Sequence, residues 1–561
     1  MKRFSLCLTL TLILSACGGN SSTGPNSNHS PQAGDPPDIE VLCTGIDAVD
    51  TSSPSVSLSG ASCTESDLRN AISGGGIVVA DCDTINLSEQ LVINQDLVLD
   101  GQGSLILDGG HNTRILTKNP GVNLTLQGMT LQNGQAPDAI AAGATQANWF
   151  EYAGGCATIL SHNTGGTFTA KQVQFLNCAT GPHSMDGTQI LDSGTGGGIY
   201  LFHVTDAIFD EVVFDGNQAT NGGGIGSLGS SVKITNSVLN DNTALKDNMS
   251  ANTNQGFGGA YYTDGTERSP KNGDNYFISC GNKFTNNIAD DSGGGIMFFI
   301  RAEKDTDFIV DRTLFQGNQA GLSATGPESG GAIYAYRVPG VTLTGVPDEG
   351  PDSFIVSNSA FINNQAFWGG GGIYFQNWYS DNYPFTGAIY NNTFYGNQGL
   401  STDQSTASGG AISGLGIWMP ISYSTFAENS HASWGGGVSI SSGEVPLHNN
   451  LFYNNYAPTF LGDPNQAPSE HIHGNGILVN PAESEHFGNL YYPTRQVVGA
   501  TVMDQDPLLL SLDETSGPTP FLPLDPTSIA IGKATPLAEI TTDQLGTTRD
   551  STPDIGAYEA P

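Results

Sequence analysis

Few stretches of this chain hold residues able to do chemistry, and the densest is Arg301, Glu303, Lys304, Asp305, Asp307, Asp311 and Arg312. A lyase acting on a uronate polymer needs a Lys or Arg base, and often Ca2+ held by clustered carboxylates to neutralise the substrate. Were 301–312 a single strand, its odd positions would share a face and bring Arg301, Glu303, Asp305, Asp307 and Asp311 together. Arg301, Lys304, Asp305 and Asp307 are therefore the candidate catalytic residues; the competing reading is a solvated loop whose charges pair locally. A second group is aromatic. Trp368 and Trp434 each stand directly before a glycine run, and Tyr374 and Trp378 follow the first closely. Trp368, Tyr374, Trp378 and Trp434 are candidate ligand-binding residues, because an exposed aromatic row is a platform for sugar rings; the alternative is that they seal a bend over the core.

Other candidates are weaker in kind. His471, His473 and His486 lie near Glu470 and Glu485, and alternate histidines on a strand face one way, as metal ligation needs. Loop histidines explain them more simply, so no metal site is assigned. The Asp290-Asp291 pair precedes a glycine run and suits a solvated turn. Paired motifs of the Asn-Thr-Asp and Gly-His-Gly kind, which a polygalacturonase-like hydrolase would carry, do not occur.

What must position these residues is a repeat. Phe-x-x-Asn recurs at Phe214 to Asn217, Phe284 to Asn287, Phe315 to Asn318, Phe361 to Asn364, Phe394 to Asn397, Phe426 to Asn429 and Phe452 to Asn455, with weaker copies at Phe175 to Cys178 and Leu239 to Asn242. Between these fall glycine runs such as Gly196 to Ile199, Gly222 to Ile225, Gly293 to Ile296 and Gly370 to Ile373. The closest copies are 25 and 26 residues apart (214 to 239, 426 to 452), and the widest 45 and 46 (239 to 284, 315 to 361). A fixed minimum with variable excess describes one structural unit carrying loops of different length. Short alternating runs such as Leu97-Val98-Leu99 and Leu124-Thr125-Leu126 are strands. Helical periodicity is confined to a turn or two at Glu65 to Ile72. The chain is therefore expected to be all-β, a single right-handed parallel β-helix with an N-terminal cap. Its Phe residues would stack inward, and its Asn would occupy a left-handed bend and bond the next coil.

Composition agrees. Gly accounts for 74 of 561 residues and charged residues for only 13%, against roughly 25% in ordinary soluble domains. Polar surface must then come from Asn, Ser, Thr and Gln. With 18 Lys and Arg against 54 Asp and Glu, the net charge is −36, which argues against nucleic acid as a partner and repels acidic polysaccharide unless Ca2+ bridges it.

The first residues read Met-Lys-Arg, an apolar run from Phe4 to Leu14, then Leu14-Ser15-Ala16-Cys17. This is a secretory signal whose last four residues resemble the lipobox of bacterial lipoproteins, in which the Cys is acylated. Cys17 would be the lipid anchor, Gly18 at the following position implies sorting to the outer membrane, and residues 18–37, rich in Gly, Ser, Asn and Pro, would be a flexible tether. In an exported chain the remaining six cysteines are expected in disulfides. Cys63 with Cys82 and Cys156 with Cys178 are preferred, each pair being about one strand-turn-strand unit apart, and Cys43 with Cys280 follows by elimination.

The paired repeats are similar to those of the polymorphic outer-membrane protein family, whose passenger regions are parallel β-helices. In that family a membrane β-barrel follows the passenger; here the N-terminal lipid would replace it. Cys63-Thr64-Glu65-Ser66-Asp67-Leu68-Arg69-Asn70-Ala71-Ile72 resembles the segment that opens another set of bacterial β-helix surface proteins. The stretch from Thr542 to Arg549, followed by Pro553 to Glu559, resembles the ending of the choice-of-anchor Q group.

The division that follows is a signal peptide at 1–17, tether at 18–37, cap and first coils at 38–95, parallel β-helix at 96–490 and closing segment at 491–561. The expected function is that of a monomeric, lipid-anchored protein of the bacterial outer membrane, adhesin-like and non-enzymatic, binding extracellular polysaccharide or a cell-surface protein. The alternative is a polysaccharide lyase or other carbohydrate-active enzyme acting on a polymer along the side of the solenoid, with 301–312 and the Trp row as its cleft. No cofactor is expected beyond a possible Ca2+.

Overall fold

The computed structural model describes residues 41–137, 149–161, 165–181, 194–246, 255–266, 275–300, 306–321, 328–337, 353–377, 385–402, 409–433, 435–457, 472–474, 486–493 and 505–561. Their strands pair in parallel into three sheets, which we call A, B and C, of 24, 12 and 7 strands among the described residues. One coil shows the path: Ile199–Phe202 in sheet B, Ala207–Asp210 and Val213–Asp215 in sheet A, then Gln218–Ala219 in sheet C. The chain re-enters sheet B at Ile225–Leu228, with Ile199 beside Ile225 in register. This is the expected parallel β-helix.

Register places like residues above one another. Phe284, Phe315, Phe361, Phe394, Phe426, Phe452 and Tyr491 form an unbroken inward stack, with ring centroids 4.6–5.0 Å apart and planes within 16° of parallel. Leu239 interrupts the series between Phe214 and Phe284, as its weaker motif implies.

The Asn of each motif forms a ladder from Asn217 through Asn242, Asn287, Asn318, Asn364, Asn397 and Asn429 to Asn455, all fully buried. Taking Asn364 as the type, its Nδ2 donates to Asn397 Oδ1 at 2.9 Å and to the Phe315 carbonyl at 3.0 Å. Its Oδ1 accepts the Asn318 backbone N–H at 3.0 Å and the Asn318 Nδ2 at 2.9 Å. Every polar atom of the amide is thereby satisfied without water. One expectation needs correction. The ladder Asn does not itself take the left-handed conformation; the residue before it does, as at Gly216, Asp241, Asn286, Gly317, Asn363, Gly396, Glu428 and Asn454. The reversal must come first so that the following side chain points inward, where its amide can reach both neighbouring coils.

The glycine runs make the bend into sheet B. Gly222, Gly258 and Gly293 have φ between 62° and 72°, and a Cβ on the next residue, Gly223, Gly259 or Gly294, would strike the carbonyl of the following coil. Only glycine allows that approach.

Helix α1 (Glu65–Ser73) caps the first coils. Thr64 accepts the Asp67 N–H at 3.1 Å, and Leu68, Ala71 and Ile72 are buried. Three disulfides join Cys63 to Cys82, Cys156 to Cys178 and Cys43 to Cys280. Cys178 occupies the rung below Asn217, whose Oδ1 accepts its backbone N–H at 3.0 Å.

Both ends of the described chain are laid along the outer bend of sheet A. Residues 42–51 form a strap running backward over the coils, with the Leu42 carbonyl on Arg312 Nη1 and Cys43 bonded to Cys280. Further along it, Ile46 N donates to Asp210 Oδ2 and Thr51 Oγ1 to Asp100 Oδ2. Asn236 accepts the Cys43 N–H at 2.8 Å and donates to the Cys43 carbonyl at 3.0 Å; Gln127 does the same for Val49 at 3.0 and 3.2 Å. The C-terminal segment uses the same device on later coils, where Asn449 accepts from Thr535 N at 2.9 Å and donates to its carbonyl at 2.8 Å. Arg549 bonds Asn391 Oδ1 and Glu559 and stacks 4.0 Å over the Tyr423 ring. The expected closing segment is thus packed on the flank of the coils.

Replacing Asn364 by Ala strands buried groups on two neighbouring coils and should cost about 3–5 kcal/mol, whereas Asn240→Ala, on the half-exposed outer face, should cost under about 1 kcal/mol. Urea midpoints of the two variants check this. Cys43→Ser should make residues 41–55 sensitive to protease without altering the far-ultraviolet circular dichroism of the coils.

Candidate functional site

Alternation along the sheet B strands sends Ile296, Ile333 and Ile373 into the core and Met297, Tyr334 and Tyr374 outward. These three outward side chains are nevertheless buried, packed with Phe257, Tyr262, Phe299 and Tyr336 into a second apolar cluster. Tyr334 and Tyr374 have ring centroids 5.3 Å apart, as do Phe299 and Tyr336. The Tyr334 hydroxyl donates to Gln376 Oε1. Burial pushes both phenols of the Tyr334–Tyr374 pair above their ordinary range.

Where sheet C turns into sheet B, carboxylates gather on one lysine. Lys246 Nζ lies 2.7 Å from Asp291 Oδ2 and 3.3 Å from Glu328 Oε1. Asp290 Oδ2 accepts the Lys246 backbone N–H at 2.9 Å, and Asp291 Oδ1 accepts from Ser292 Oγ at 2.9 Å. Burial raises Asp291 and Glu328 above the usual carboxylate range, outweighing their attraction to Lys246. Burial alone would pull the ammonium down, but its hydrogen bonds and the two acids hold it above its ordinary value. The lysine occupies the place a cation would take between the acids, so the cluster supplies its own counter-charge.

Trp368 joins this region. It is half-buried, its backbone N–H donates to the Glu328 carbonyl at 2.7 Å, and its own carbonyl meets His431 Nε2. Burial lowers His431 to about 4, against the bond to the Trp368 carbonyl, which favours the charged ring. His431 stands in sheet C beside Gly399, where a Cβ would strike the imidazole.

The sequence candidates disperse. Tyr374 requires correction: at 3% exposure it is a packing residue on the outer face of sheet B, since Tyr334 packs against it within the outer apolar cluster, and offers no ring to a ligand. Asp307 is exposed on the strand Thr306–Asp311, facing out from sheet A, and Asp311 accepts from Arg312, Ser357 and Asn358. Trp368 lies at the turn between sheets C and B, so the cleft that would have joined it to Asp307 is not formed by these residues. Cys17, Arg301, Glu303, Lys304, Asp305, Trp378, Trp434 and His471 lie outside the described residues. His486 is buried in sheet A, its Nδ1 accepting the Leu447 N–H, whereas His473 belongs to a sheet B strand, so the two are not on one face. Among the described residues one group has metal-ligand spacing, Cys43, Cys280 and Asp311, but the first two are bonded to each other and offer no thiolate.

Sequence reasoning missed Lys246 and Glu328, which are 82 residues apart, and two buried cations. Arg114 donates to the carbonyls of Gly154, Glu151 and Ala153, and Lys118 to the Leu160 carbonyl and Ser161 Oγ. Burial lowers Arg114 to about 9 and Lys118 to about 8. A cation at an inward position of a strand was the available signal, because Lys118 stands between Ile93 and Ile159.

Comparison with known proteins gives a likeness in sequence repeat and a likeness in structure. Residues 312–336, which span the Phe315 motif and the glycine run at Gly330, match the Chlamydia polymorphic membrane protein (Chlamydia_PMP) repeat. The crystal structure of pectate lyase Pel9A aligns over 86% of this chain and 88% of its own at 12% identity, with a TM-score of 0.33. No curated protein matches the chain.

The acidic cluster has a pH signature. An acid whose folded pKa is raised stabilises the fold below its unfolded pKa, and that contribution is lost as pH rises through the folded value. Stability contributed by Asp291 and Glu328 therefore declines as pH climbs above the ordinary carboxylate range. Relative to the native chain, Glu328→Gln should gain stability between about pH 4 and pH 7, read from urea midpoints measured across that interval.

Proposed function

We propose that this chain is a non-enzymatic, adhesin-like binding protein of the bacterial outer membrane that holds a glycan along the side of its coils. The observation that carries the reading is a registered outer surface. Asp215, Asn240, Thr285 and Gln316 project from successive coils of sheet A, and Gln218, Thr243, Ile288, Gln319, Gln365 and Gln398 from sheet C. All are half-buried or exposed, and nearly all are uncharged hydrogen-bonding groups. Their repeat of ~4.8 Å per coil suits a ligand that is itself repetitive and neutral.

Catalysis is less well supported. Among the described residues Arg114, Lys118, Lys171, Lys246, Arg312 and Arg549 are each engaged by carboxylates or backbone carbonyls. A lyase base must be able to give up that engagement to take a proton. Location at the outer membrane is supported by the likeness of residues 312–336 to the Chlamydia repeat and by the lipobox-like residues ending at Cys17. The lipid on Cys17 would make the membrane itself a partner; a cell-surface protein is the other ligand class, and Ca2+ would enter only as a bridge to an acidic polymer.

The lipidated protein should bind neutral polysaccharides in pull-down with and without Ca2+, and should produce no unsaturated-uronate absorbance from pectic, alginate or glycosaminoglycan polymers. Growth of that absorbance would establish the lyase in place of the binding protein. Cys17→Ser should abolish acylation by mass spectrometry and release the protein from the membrane fraction.

A further inference from the structure

On three consecutive coils, sheet C carries Gln319, Gln365 and Gln398 in one outward column, with Ala320, Ala366 and Gly399 as their buried neighbours. Two residues further along the second and third of these coils stand Phe367 and Leu400, the first half-buried and the second 41% exposed. We propose that this strip binds a neutral polysaccharide whose chain is extended along the axis of the coils, one sugar unit to each coil.

Charge selects the strip. Residues 313–320, 358–366 and 391–399 of these coils include no Asp, Glu, Lys or Arg, in a chain whose net charge is −36. The coils on either side do carry charge, Lys283 and Asp290 on one and Glu428 on the other. An acidic polymer would find no cation here, and a basic one no carboxylate.

The amides of the strip have bonding capacity to spare. Among the described residues no group bonds the side chains of Gln316 and Gln319 on the first coil or of Asn363 on the second. Gln365 Nε2 donates to Gln398 Oε1 at 3.3 Å, and this one bond leaves Gln365 Oε1 and Gln398 Nε2 without a partner among the described residues. An amide both gives and accepts, so it meets a sugar hydroxyl whichever way the unit is turned. That property fits a chain with equatorial linkages, in which successive units are flipped and each advances by close to the ~4.8 Å between coils. Phe367 and Leu400 lie beside the amides and offer the apolar surface on which a ring face packs.

A peptide strand would gain less. The main chain of this face is already bonded from coil to coil, Gln365 N to the Asn318 carbonyl and Gln398 N to the Asn364 carbonyl, both at 2.9 Å. No sheet edge is left there for a strand to extend.

The strip rests on the glycan-binding reading, and the test separates the two. Calorimetric titration of the full lipidated chain in detergent would use cellohexaose and chitohexaose, with maltohexaose, whose axial linkages coil the chain, and hexagalacturonate as controls. At least one of the first two should bind, and Gln319→Ala with Gln365→Ala should weaken it about tenfold or more. Leu400→Ala should weaken it several-fold. Gln218→Ala, an exposed glutamine of the same sheet on a coil that carries Asp215, should leave it unchanged. Failure of both extended hexamers to bind overturns the strip, as does equal binding of either control, an undiminished affinity in the double variant, or a Gln218→Ala loss as large as its own. If the native chain still retains neutral polysaccharide in pull-down, only the strip is wrong; if that retention is absent too, the glycan reading falls with it.

Discussion

From Asn217 to Asn455 the coils are joined by asparagine side chains whose amides face the interior and have no water to fall back on. A buried amide left unpaired costs more than a paired one contributes, so such a ladder acts chiefly as a register lock. A coil displaced by one residue would turn its Asn outward and leave the Phe carbonyl of a neighbouring coil without a donor. The Phe stack alone does not impose this, because aromatic packing tolerates sliding in a way that hydrogen-bond geometry does not. Lengths between coils can then vary by tens of residues, since the core of each coil is fixed by a few positions and the rest is free to be loop.

The same logic explains the outer bend of sheet A. Left-handed turn residues there, Asn236, Asn391 and Asn449 among them, point their amides away from the core, and extended segments from both ends of the described chain take up those bonding groups. A side-chain amide that gives to and takes from one residue's backbone, as at Cys43, Val49 and Thr535, reads main chain without regard to side-chain identity. The strap and the C-terminal segment can therefore use one kind of surface while sharing no sequence pattern. Asp210 shows the cost and the compensation in one place. Burial would raise its pKa, yet bonds from Lys171, Thr235, Ile46 and Asn236 hold it below the ordinary range.

Much of the fold was legible because its determinants are local and repeated. Phe-x-x-Asn and the glycine runs fix two bends per coil, and α1 follows from Thr64 and the apolar spacing of Leu68, Ala71 and Ile72. The position of the left-handed residue was not legible, because Gly, Asp, Asn and Glu all occupy it, and only the fixed Asn after it marks the place. The strap was foreshadowed by one elimination, Cys43 with Cys280, since contacts across 237 residues leave no local trace. Candidate site residues fared worse for a related reason. Tyr374 was grouped with an exposed aromatic row because it follows Trp368 closely, but an outward position on a β-helix can be covered by a further apolar layer. Lys246, Asp291 and Glu328 belong to three different coils, and single-chain periodicity carries no information about which loops meet.

The Cys43–Cys280 bond also changes how the molecule bears load. Tension applied to the chain upstream of residue 41 does not arrive at the first coil, where strands could be unzipped one at a time. It passes through the disulfide to Cys280, partway up the stack, and everything from residue 44 to residue 279 sits in a covalently closed loop that carries no force. The coils below the staple are mechanically silent for as long as it is oxidised, and the pull is resisted in shear by the stacked coils around Cys280. A reducing environment would remove that shield and return the load to the strap's hydrogen bonds, and then to the first strands at Val56–Ser59.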